Sequence, residues 1–246
     1  MSAVLVIAGT DSSGGAGLTR DVATLAHFGV EARCVVTAVT AQSGTGVALA
    51  HVLPAQAVRA QLSTALAPGG VGAIKIGMLG TAATVEAVAA GLPGAPAIPM
   101  VLDPVLAASS GGELLDAGGR RALLALLLPR ATLLTPNIPE AAALLGTGPA
   151  RSQDEQAAQA RALCALGAAA VLLKGGHAQG TAAVDCLATR AGDVHILSAP
   201  RSAARRRGTG CTLASGVAAG LAAGLPLLAA CERAKRHVTA LLQASP

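Results

Sequence analysis

Residues 3–8 read Ala-Val-Leu-Val-Ile-Ala, and the glycine loop that follows, residues 9–17, reads Gly-Thr-Asp-Ser-Ser-Gly-Gly-Ala-Gly. An unbroken apolar run of this kind is typical of a strand that helices cover on both faces of a sheet. The small residues of the loop let the backbone turn and approach a ligand closely. A helical pattern follows to about Phe28, so the stretch predicts the strand–loop–helix unit of an α/β protein.

The same alternation continues along the rest of the chain. Strands are predicted at 33–39, 72–76, 98–102, 131–135 and 169–174, a hairpin at 181–199, and helices at 55–66, 81–90, 118–128, 152–167, 210–223 and 226–243. Strands that alternate with helices predict a mostly parallel sheet with helices on both faces. Because no linker or repeat interrupts the pattern, a single domain over residues 1–246 is expected, with its ligands at the carboxyl ends of the strands.

Composition narrows the class of protein. The 246 residues are 52% hydrophobic, and Phe28 is the only aromatic residue, so the core is expected to be aliphatic. No uncharged apolar run reaches the roughly 18 residues that a membrane span needs, so no membrane partner is expected. The five cysteines are scattered, without a CxxC pair, which favours a reducing cytoplasm.

The formal net charge is +5, but charged residues make up only 13% of the chain. No aromatic platform is present on which bases could stack, and the only basic run is 205–207. These features argue against a nucleic-acid partner. They favour a modest positive field around an anionic small molecule.

The sequence Gly208-Thr209-Gly210-Cys211, called here the GTGC segment, directly precedes a long apolar helical pattern. The first N–H groups of a helix lack intrahelical partners, and the helix dipole adds partial positive charge there. Such a site suits a phosphoryl group in transfer. An ordinary glycine-rich helix start remains an alternative. The chain has no GxxxxGK[ST] and no GxGxxG after a strand, so the usual nucleotide motifs are absent.

Two charged residues lie where a charge needs an explanation. Lys174 ends a predicted buried strand, where an unpaired ammonium is costly and a phosphate partner would account for the charge. A lysine that extends its ammonium to solvent is the alternative. Glu140 lies near the start of a predicted helix, where the helix dipole alone favours an acid.

Six short motifs occur in a fixed order over nearly the whole chain. They are Gly9-x-Asp11-x-x-x-Gly15-Ala16-Gly17, Lys75-Ile76-Gly77-Met78, Asp103-Pro104-Val105, Thr135-Pro136-Asn137-x-x-Glu140, Lys174-Gly175-Gly176-His177 and the GTGC segment. With these motifs the chain resembles the hydroxymethylpyrimidine/phosphomethylpyrimidine kinases of the ribokinase-like superfamily. The resemblance implies an α/β three-layer sandwich with a mostly parallel central sheet.

The resemblance also implies an activity. ATP and Mg²⁺ are the implied cofactors, and the implied acceptors are 4-amino-5-hydroxymethyl-2-methylpyrimidine and then its monophosphate, in thiamine biosynthesis. Relatives are often dimers, so a homodimer is expected. Two alternatives stay open: a pyridoxal or pyridoxine kinase, and a regulatory protein that keeps the fold without the chemistry.

The resemblance assigns roles to individual positions. The acceptor pocket is expected to comprise Gly9, Asp21, Gln42, Met78 and Val105. The catalytic group is expected to comprise Lys174, Gly208, Thr209, Gly210 and Cys211. Nucleotide contacts are expected from Lys174, Thr209 and Asp185, and contacts to Mg²⁺ through water from Asp103, Asn137 and Glu140.

Cys211 stands where many members of the superfamily carry an aspartate that acts as a base. A thiol at a helix N-terminus can have a depressed pKa and accept a proton. A loose phosphoryl-transfer transition state needs little help from a base, however, and Cys211 could instead contribute its backbone N–H and its shape. Both interpretations are open from the sequence.

The sequence departs from the family pattern at two arginines. Arg207 stands before the GTGC segment where the family commonly has histidine, either as a phosphate clamp or in a solvated, mobile loop. Arg20 stands in Thr19-Arg20-Asp21 where the family often has Gln-Ala-Asp. Arg20 is therefore expected to alter an interface or the mouth of the acceptor pocket.

Overall fold

In the computed structural model, which describes residues 2–43, 46–94, 98–108, 111–176, 181–204 and 206–244, strands alternate with helices. The strands are β1 (Ala3–Asp11), β2 (Ala32–Gln42), β3 (Val47–Val52), β4 (Val71–Ile76), β5 (Met100–Leu102), β6 (Leu133–Leu134), β7 (Ala170–Leu173), β8 (Ala182–Thr189) and β9 (Val194–Pro200). The helices are α1 (Gly17–His27), α2 (Ala55–Leu66), α3 (Ala82–Gly91), α4 (Ala117–Ala122), α5 (Ile138–Leu145), α6 (Gln153–Ala165), α7 (Thr209–Ala222) and α8 (Leu227–Gln243).

All nine strands belong to one sheet, in the order β3-β2-β1-β4-β5-β6-β7-β8-β9. Neighbouring strands from β2 to β7 run parallel to each other. At one edge β3 is antiparallel to β2; at the other, β8 is antiparallel to β7, and β9 is antiparallel to β8. The strand order reverses between β1 and β4. In open α/β sheets, a crevice forms at such a reversal, outside the carboxyl ends of the strands.

The two faces of the sheet carry separate apolar cores. In β1, Val4 and Val6 pack in the core that includes α1, α7 and α8, whereas Leu5 and Ile7 pack in the core that includes α2, α3, α5 and α6. These four side chains are completely buried, which at about 1.5–3 kcal/mol each makes β1 a major source of stability. The α/β sandwich of three layers expected from the sequence is therefore confirmed.

Small residues let α7 and α8 approach closely. A Cβ at Gly220 would lie 2.8 Å from the Cβ of Ala230, and one at Gly216 would lie 3.0 Å from the Cβ of Ala234. Both distances are shorter than ordinary carbon contacts, so neither position has room for a side chain. The aliphatic core expected from the composition is thus packed through glycine and alanine at this contact.

Strand β3 and the helix predicted at 118–128 differ from the sequence-based expectation. Strand β3 was not predicted, because most of its residues are exposed at a sheet edge and show little apolar alternation. The helix predicted at 118–128 is α-helical only to Ala122; a π-helical segment (Leu123–Leu127) and a 3-10 turn (Leu128–Arg130) follow. Pro129 cannot donate to an α-helical ladder, which accounts for the end of the helix.

Among the described residues, every helix is too short or too polar for a membrane-spanning segment.

The close contact of α7 with α8 makes a stability prediction. Gly220→Leu inserts a side chain against Ala230 and is expected to lower the free energy of unfolding by about 1–3 kcal/mol through overpacking. Gly148→Leu is the control, because a Cβ at Gly148 has no heavy atom within 4 Å. Urea denaturation of both variants measures the difference. Equal stability of the two variants would show that the helices separate easily.

Candidate active site

The glycine loop and the GTGC segment meet at the carboxyl edge of the sheet. Gly208 has a φ of 74°, in the left-handed region, and a Cβ there would overlap the carbonyl oxygen of Gly15. Gly17 has a φ of 60°, and a Cβ there would overlap the carbonyl oxygen of Gly9. Both positions therefore require glycine, and the loop lies directly on the start of α7.

Helix α7 begins at the GTGC segment. Gly208 is the N-cap, no side chain caps the helix, and the Gly208 carbonyl accepts hydrogen bonds from the backbone N–H and the hydroxyl of Thr212. The N–H groups of Thr209, Gly210 and Cys211 belong to the first turn, where a helix has no acceptors of its own. The sequence placed these three residues and Gly208 at a helix start, and the structure agrees.

Lys174 lies beside this first turn. A Cβ at Gly210 would lie 3.2 Å from Lys174 Nζ and 3.9 Å from Asp103 Oδ2. The ammonium forms an ion pair with Asp103 Oδ1 at 2.9 Å, and Thr135 Oγ1 donates to the same oxygen at 3.1 Å. Burial alone would raise the pKa of Asp103, but Lys174 and Lys75 outweigh it and lower that pKa.

The alternative of a solvent-directed Lys174 is wrong. Its side chain is only 14% exposed. Burial acts to lower the pKa of Lys174, but the carboxylates of Asp103 and Glu140 raise it. Lys174 is therefore a cation held between carboxylates and the helix N-terminus.

Asn137 and Glu140 form a capping box at the start of α5. Glu140 N donates to Asn137 Oδ1, and Asn137 N donates to Glu140 Oε2, each at 2.8 Å. Burial raises the pKa of Glu140 to about 7, even though Lys174 acts in the opposite direction. Glu140 thus caps its helix and also faces the charges of the site, so both roles considered from the sequence are compatible with the geometry.

The residues that the resemblance assigns to an acceptor pocket lie near the reversal of strand order. A Cβ at Gly9 would lie 2.9 Å from Met78 Sδ, and Met78 belongs to a small apolar cluster against which Val105 packs. Gln42, at the end of β2, is half-buried, and its backbone N–H donates to Ser12 Oγ of the glycine loop at 3.0 Å. The structure therefore brings Gly9, Met78 and Val105 together, and it joins Gln42 to the glycine loop that contains Gly9.

Asp21 occupies a different environment from the other residues expected in the acceptor pocket. Its side chain is 0% exposed and pairs with Lys75, whose Nζ lies 2.8 Å from Asp21 Oδ2. Ser215 of α7 donates to the other carboxylate oxygen at 2.7 Å. Asp21 is therefore completely enclosed by protein groups and offers no surface to a ligand, so the expectation that its side chain lines the acceptor pocket is wrong.

Lys75 is a residue to which the sequence assigned no role. It is the largest completely buried side chain in the described ranges. A lysine inside the apolar run Val71-Gly72-Ala73-Ile74-Lys75-Ile76 is unusual, and that was the available signal. Its partner Asp21 is 54 residues away along the chain, so the pairing itself has no local signature.

Cys211 does not have the depressed pKa that the sequence suggested. Burial raises the pKa of the thiol to about 11, although Lys75 acts to lower it and Gly17 donates a backbone hydrogen bond. Loss of water around the sulfur outweighs the favourable charges of the helix start. The thiol is consequently protonated at neutral pH in the free protein.

Asp185 contacts the backbone of the motif at residues 174–177. Its Oδ1 accepts from Gly175 N at 2.9 Å, and its Oδ2 pairs with Lys235 Nζ at 2.7 Å. A Cβ at Gly175 would overlap the carbonyl oxygen of Val184, so this turn also requires glycine. The structure therefore places Asp185 as a support of Gly175. His177, the last residue of that motif, lies outside the described residues.

The two arginines that depart from the family pattern are both bound to the glycine loop. Arg207 donates to Asp11 Oδ2 at 2.8 Å, to Ser13 Oγ at 3.0 Å and to the carbonyl oxygen of Ser43 at 2.8 Å. Arg207 is thus held by protein groups, and the expectation of a solvated position is wrong. Arg20 donates to the Gly14 carbonyl at 3.5 Å and packs its Cγ against Gly208.

A family model and a curated relative both match this chain and name the same kinase family. The sequence model of the family described as phosphomethylpyrimidine kinase matches residues 11–246. A hydroxymethylpyrimidine/phosphomethylpyrimidine kinase of Rhizobium meliloti (strain 1021) is 42% identical over 245 residues, which cover 98% of this chain and 90% of that protein.

Two solved structures share the whole fold. The ADP complex of Bacillus subtilis pyridoxal kinase has a TM-score of 0.91 at 31% identity and covers 100% of this chain and 93% of its own. The phosphomethylpyrimidine kinase of Clostridium difficile 630 has a TM-score of 0.85 at 31% identity. This match covers 98% of the present chain and 99% of the Clostridium chain. Since sequence, fold and the arrangement around α7 agree over nearly the full length, this chain belongs to the phosphomethylpyrimidine kinase family.

Proposed function

We propose that this chain is an ATP-dependent kinase of thiamine biosynthesis that phosphorylates 4-amino-5-hydroxymethyl-2-methylpyrimidine and then its monophosphate. The observation that carries the proposal is the position of Lys174 Nζ, 3.2 Å from a Cβ at Gly210. A lysine ammonium and the free N–H groups of a helix start converge there. Together they suit the charge on the equatorial oxygens of a phosphoryl group in transfer.

The acceptor and the nucleotide lie on opposite sides of the GTGC segment in this proposal. The pyrimidine ring occupies the side of Gly9, Met78 and Val105, where the thioether and aliphatic carbons form an apolar wall. Gln42 offers both a donor and an acceptor to the ring edge. The hydroxymethyl oxygen then faces the first turn of α7, in line with the transferred phosphoryl group.

On the proposed nucleotide side, two side chains form hydrogen bonds to the backbone. Asp185 fixes Gly175, and Arg201 donates to the carbonyl oxygens of Gly176 and Ala182. These contacts join Gly175 and Gly176 to side chains of β8 and of the segment after β9. We propose that Asp185 contributes to ATP binding through Gly175, while Lys174 and Thr209 contact the phosphates themselves.

The carboxylates near Lys174 fit Mg²⁺ in an indirect role. The hydrogen bonds of Thr135 and Lys174 engage Asp103 Oδ1, and Asp103 Oδ2 lies 3.9 Å from a Cβ at Gly210, at the first turn of α7. The Glu140 carboxylate accepts backbone hydrogen bonds from Asn137 and Leu106 and faces Lys174 and Asp103. Within the described residues, no cluster of three His, Cys, Asp or Glu side chains could hold a metal by itself. Mg²⁺ commonly takes one or two carboxylates, several waters and substrate phosphates. Asp103 and Glu140, with Asn137 orienting Glu140, would hold such an ion, and the ion would neutralise phosphate charge.

We propose that Cys211 contributes its backbone N–H and its size, and that its thiol does not take the proton. A thiol with a pKa of about 11 is a poor proton acceptor at neutral pH. The loose transition state of phosphoryl transfer releases the acceptor proton late and needs little base catalysis.

Pyridoxal kinase activity is the second candidate, because a pyridoxal kinase of Bacillus subtilis shares the fold over the whole chain. A coupled ADP-release assay with both alcohols separates the two candidates. Turnover of pyridoxal alone would reverse our assignment. Absence of phosphate transfer to either alcohol, with ATP and Mg²⁺ present, would instead identify a regulatory homologue.

We also propose that the chain acts as a single domain over residues 1–246, as a cytoplasmic homodimer that binds neither nucleic acid nor membrane. All five cysteines are free thiols, which suits a reducing compartment. Val39 of β2 and Leu49 of β3 are 48% and 60% exposed, and they offer apolar surface at the sheet edge to a second copy.

Lys174→Met tests whether the Lys174 ammonium beside Gly210 contributes to phosphoryl transfer. The variant removes the ammonium and leaves Asp103 without its partner, so kcat is expected to fall about 100- to 1000-fold. Mass spectrometry of the products from the pyrimidine alcohol and ATP measures mono- and diphosphate formation. Arg120→Met is the control, because Arg120 pairs with Glu113 at the surface. Wild-type turnover in Lys174→Met would contradict the proposal.

Glu140 makes a pH prediction. Its pKa rises from 4.5 to about 7 on folding, so the folded state binds more protons than the unfolded state between these values. The stability that Glu140 contributes is therefore present at low pH and is lost as pH rises toward 7. Urea denaturation at about pH 5 and about pH 7.5 should show a decrease on the order of 2 kcal/mol that Glu140→Gln lacks. An identical pH dependence in both proteins would contradict the raised pKa.

Cys211→Ser tests the proton-transfer role. A serine keeps the backbone N–H and nearly the size of cysteine, so turnover is expected within about tenfold of wild type, whereas loss of a general base costs roughly 100-fold or more. ATP affinity, measured by calorimetry, should be unchanged. A fall in turnover beyond about 100-fold with intact ATP affinity would restore the thiol as the base.

A further inference from the structure

The Lys75–Asp21 pair is the most deeply buried charge pair in the described ranges. Both side chains are 0% exposed, whereas each of the other ion pairs found retains some exposure on at least one partner. Removing two ions from water costs several kcal/mol per ion, and apolar residues of equal volume are often as stable or more stable. Folding stability alone is therefore a weak reason for this pair.

The pair joins three elements that carry the proposed site. Asp21 belongs to α1, the helix that follows the glycine loop, and Lys75 belongs to β4, two residues before Gly77 and three before Met78. Ser215 of α7 donates to Asp21 at 2.7 Å and lies four residues after Cys211, on the same face of the helix. One buried cluster thus ties the phosphoryl-binding end of α7 to the strand that leads to the acceptor pocket.

The ammonium also limits the backbone next to the pocket. A Cβ at Gly77 would lie 2.8 Å from Lys75 Nζ, so the chain passes directly over the charge on its way to Met78. The carboxylate of Asp103 and the sulfur of Cys211 are near enough to raise the pKa of Lys75. Lys75 therefore lies behind both sides of the proposed reaction centre without any surface that a substrate could touch.

We propose that Lys75, with Asp21 and Ser215, is a positioning residue that sets the distance between the phosphoryl-binding turn of α7 and the acceptor ring. This inference rests on the proposed function, because it assigns the two ends of that distance to phosphoryl donor and acceptor. A displacement of about 1 Å between reacting groups can cost about 100-fold in rate. The position of α7 is therefore expected to affect kcat more than nucleotide binding.

The test is the double variant Lys75→Met/Asp21→Asn, which removes both charges while keeping similar volumes and an acceptor for Ser215. Its free energy of unfolding is expected to equal or exceed that of wild type. Its kcat for the pyrimidine alcohol should fall about 10- to 100-fold, with the ADP dissociation constant within about twofold of wild type. Arg120→Met/Glu113→Gln, a surface pair, controls for the double substitution.

Ser215→Ala is a second variant, which cuts the link to α7 and leaves both charges in place. A fall in kcat of about three- to tenfold with unchanged ADP affinity is expected, since the Lys75–Asp21 ion pair between β4 and α1 remains. This variant keeps the inference testable if the double variant does not fold.

Several outcomes would overturn the inference alone, provided that the wild type phosphorylates the pyrimidine alcohol or pyridoxal. These are a wild-type kcat in both variants, a loss of stability with normal kcat per folded molecule, and a parallel loss of ADP affinity. A wild type that phosphorylates neither alcohol would overturn the proposed function and this inference with it.

Discussion

The contact between Gly208 and the carbonyl oxygen of Gly15 is the constraint on which the site depends. It joins the glycine loop between β1 and α1 to the start of α7, two segments far apart in sequence, without space for a side chain between them. Because the contact fixes where α7 begins, it also fixes the free N–H groups of Thr209, Gly210 and Cys211. The ion pair of Lys174 and the bonds of Arg207 complete an arrangement that this backbone contact makes possible.

Features with a local signature could be predicted from the sequence. Helix α2 has the predicted bounds, because its apolar period and the preceding proline act within one short window. The order of six motifs gave the family, the fold and the kinase chemistry correctly. The edge strand β3 and the π-helical segment could not be predicted, since edge exposure and the fit of α4 against α3 are settled by tertiary packing.

The site shows the same division between local and tertiary effects. The raised pKa of Cys211 depends on burial by distant segments, and a helix start alone suggests the opposite direction. The role of Arg207 depends on Asp11, and the burial of Asp21 depends on Lys75. In each case the residue type was visible in the sequence, but its partner came from another element of the fold.

The ion pairs have a consequence for the surface chemistry of the protein. The chain contains three lysines, Lys75, Lys174 and Lys235, and each is paired with an aspartate and at most 14% exposed. The other permanently charged basic residues are arginines, whose guanidinium groups are poor nucleophiles at neutral pH. Amine-directed labels and acylating metabolites therefore find almost no lysine on the intact fold. Any lysine labelling of the native protein reports that the carboxyl edge of the sheet or the β8–α8 contact has opened.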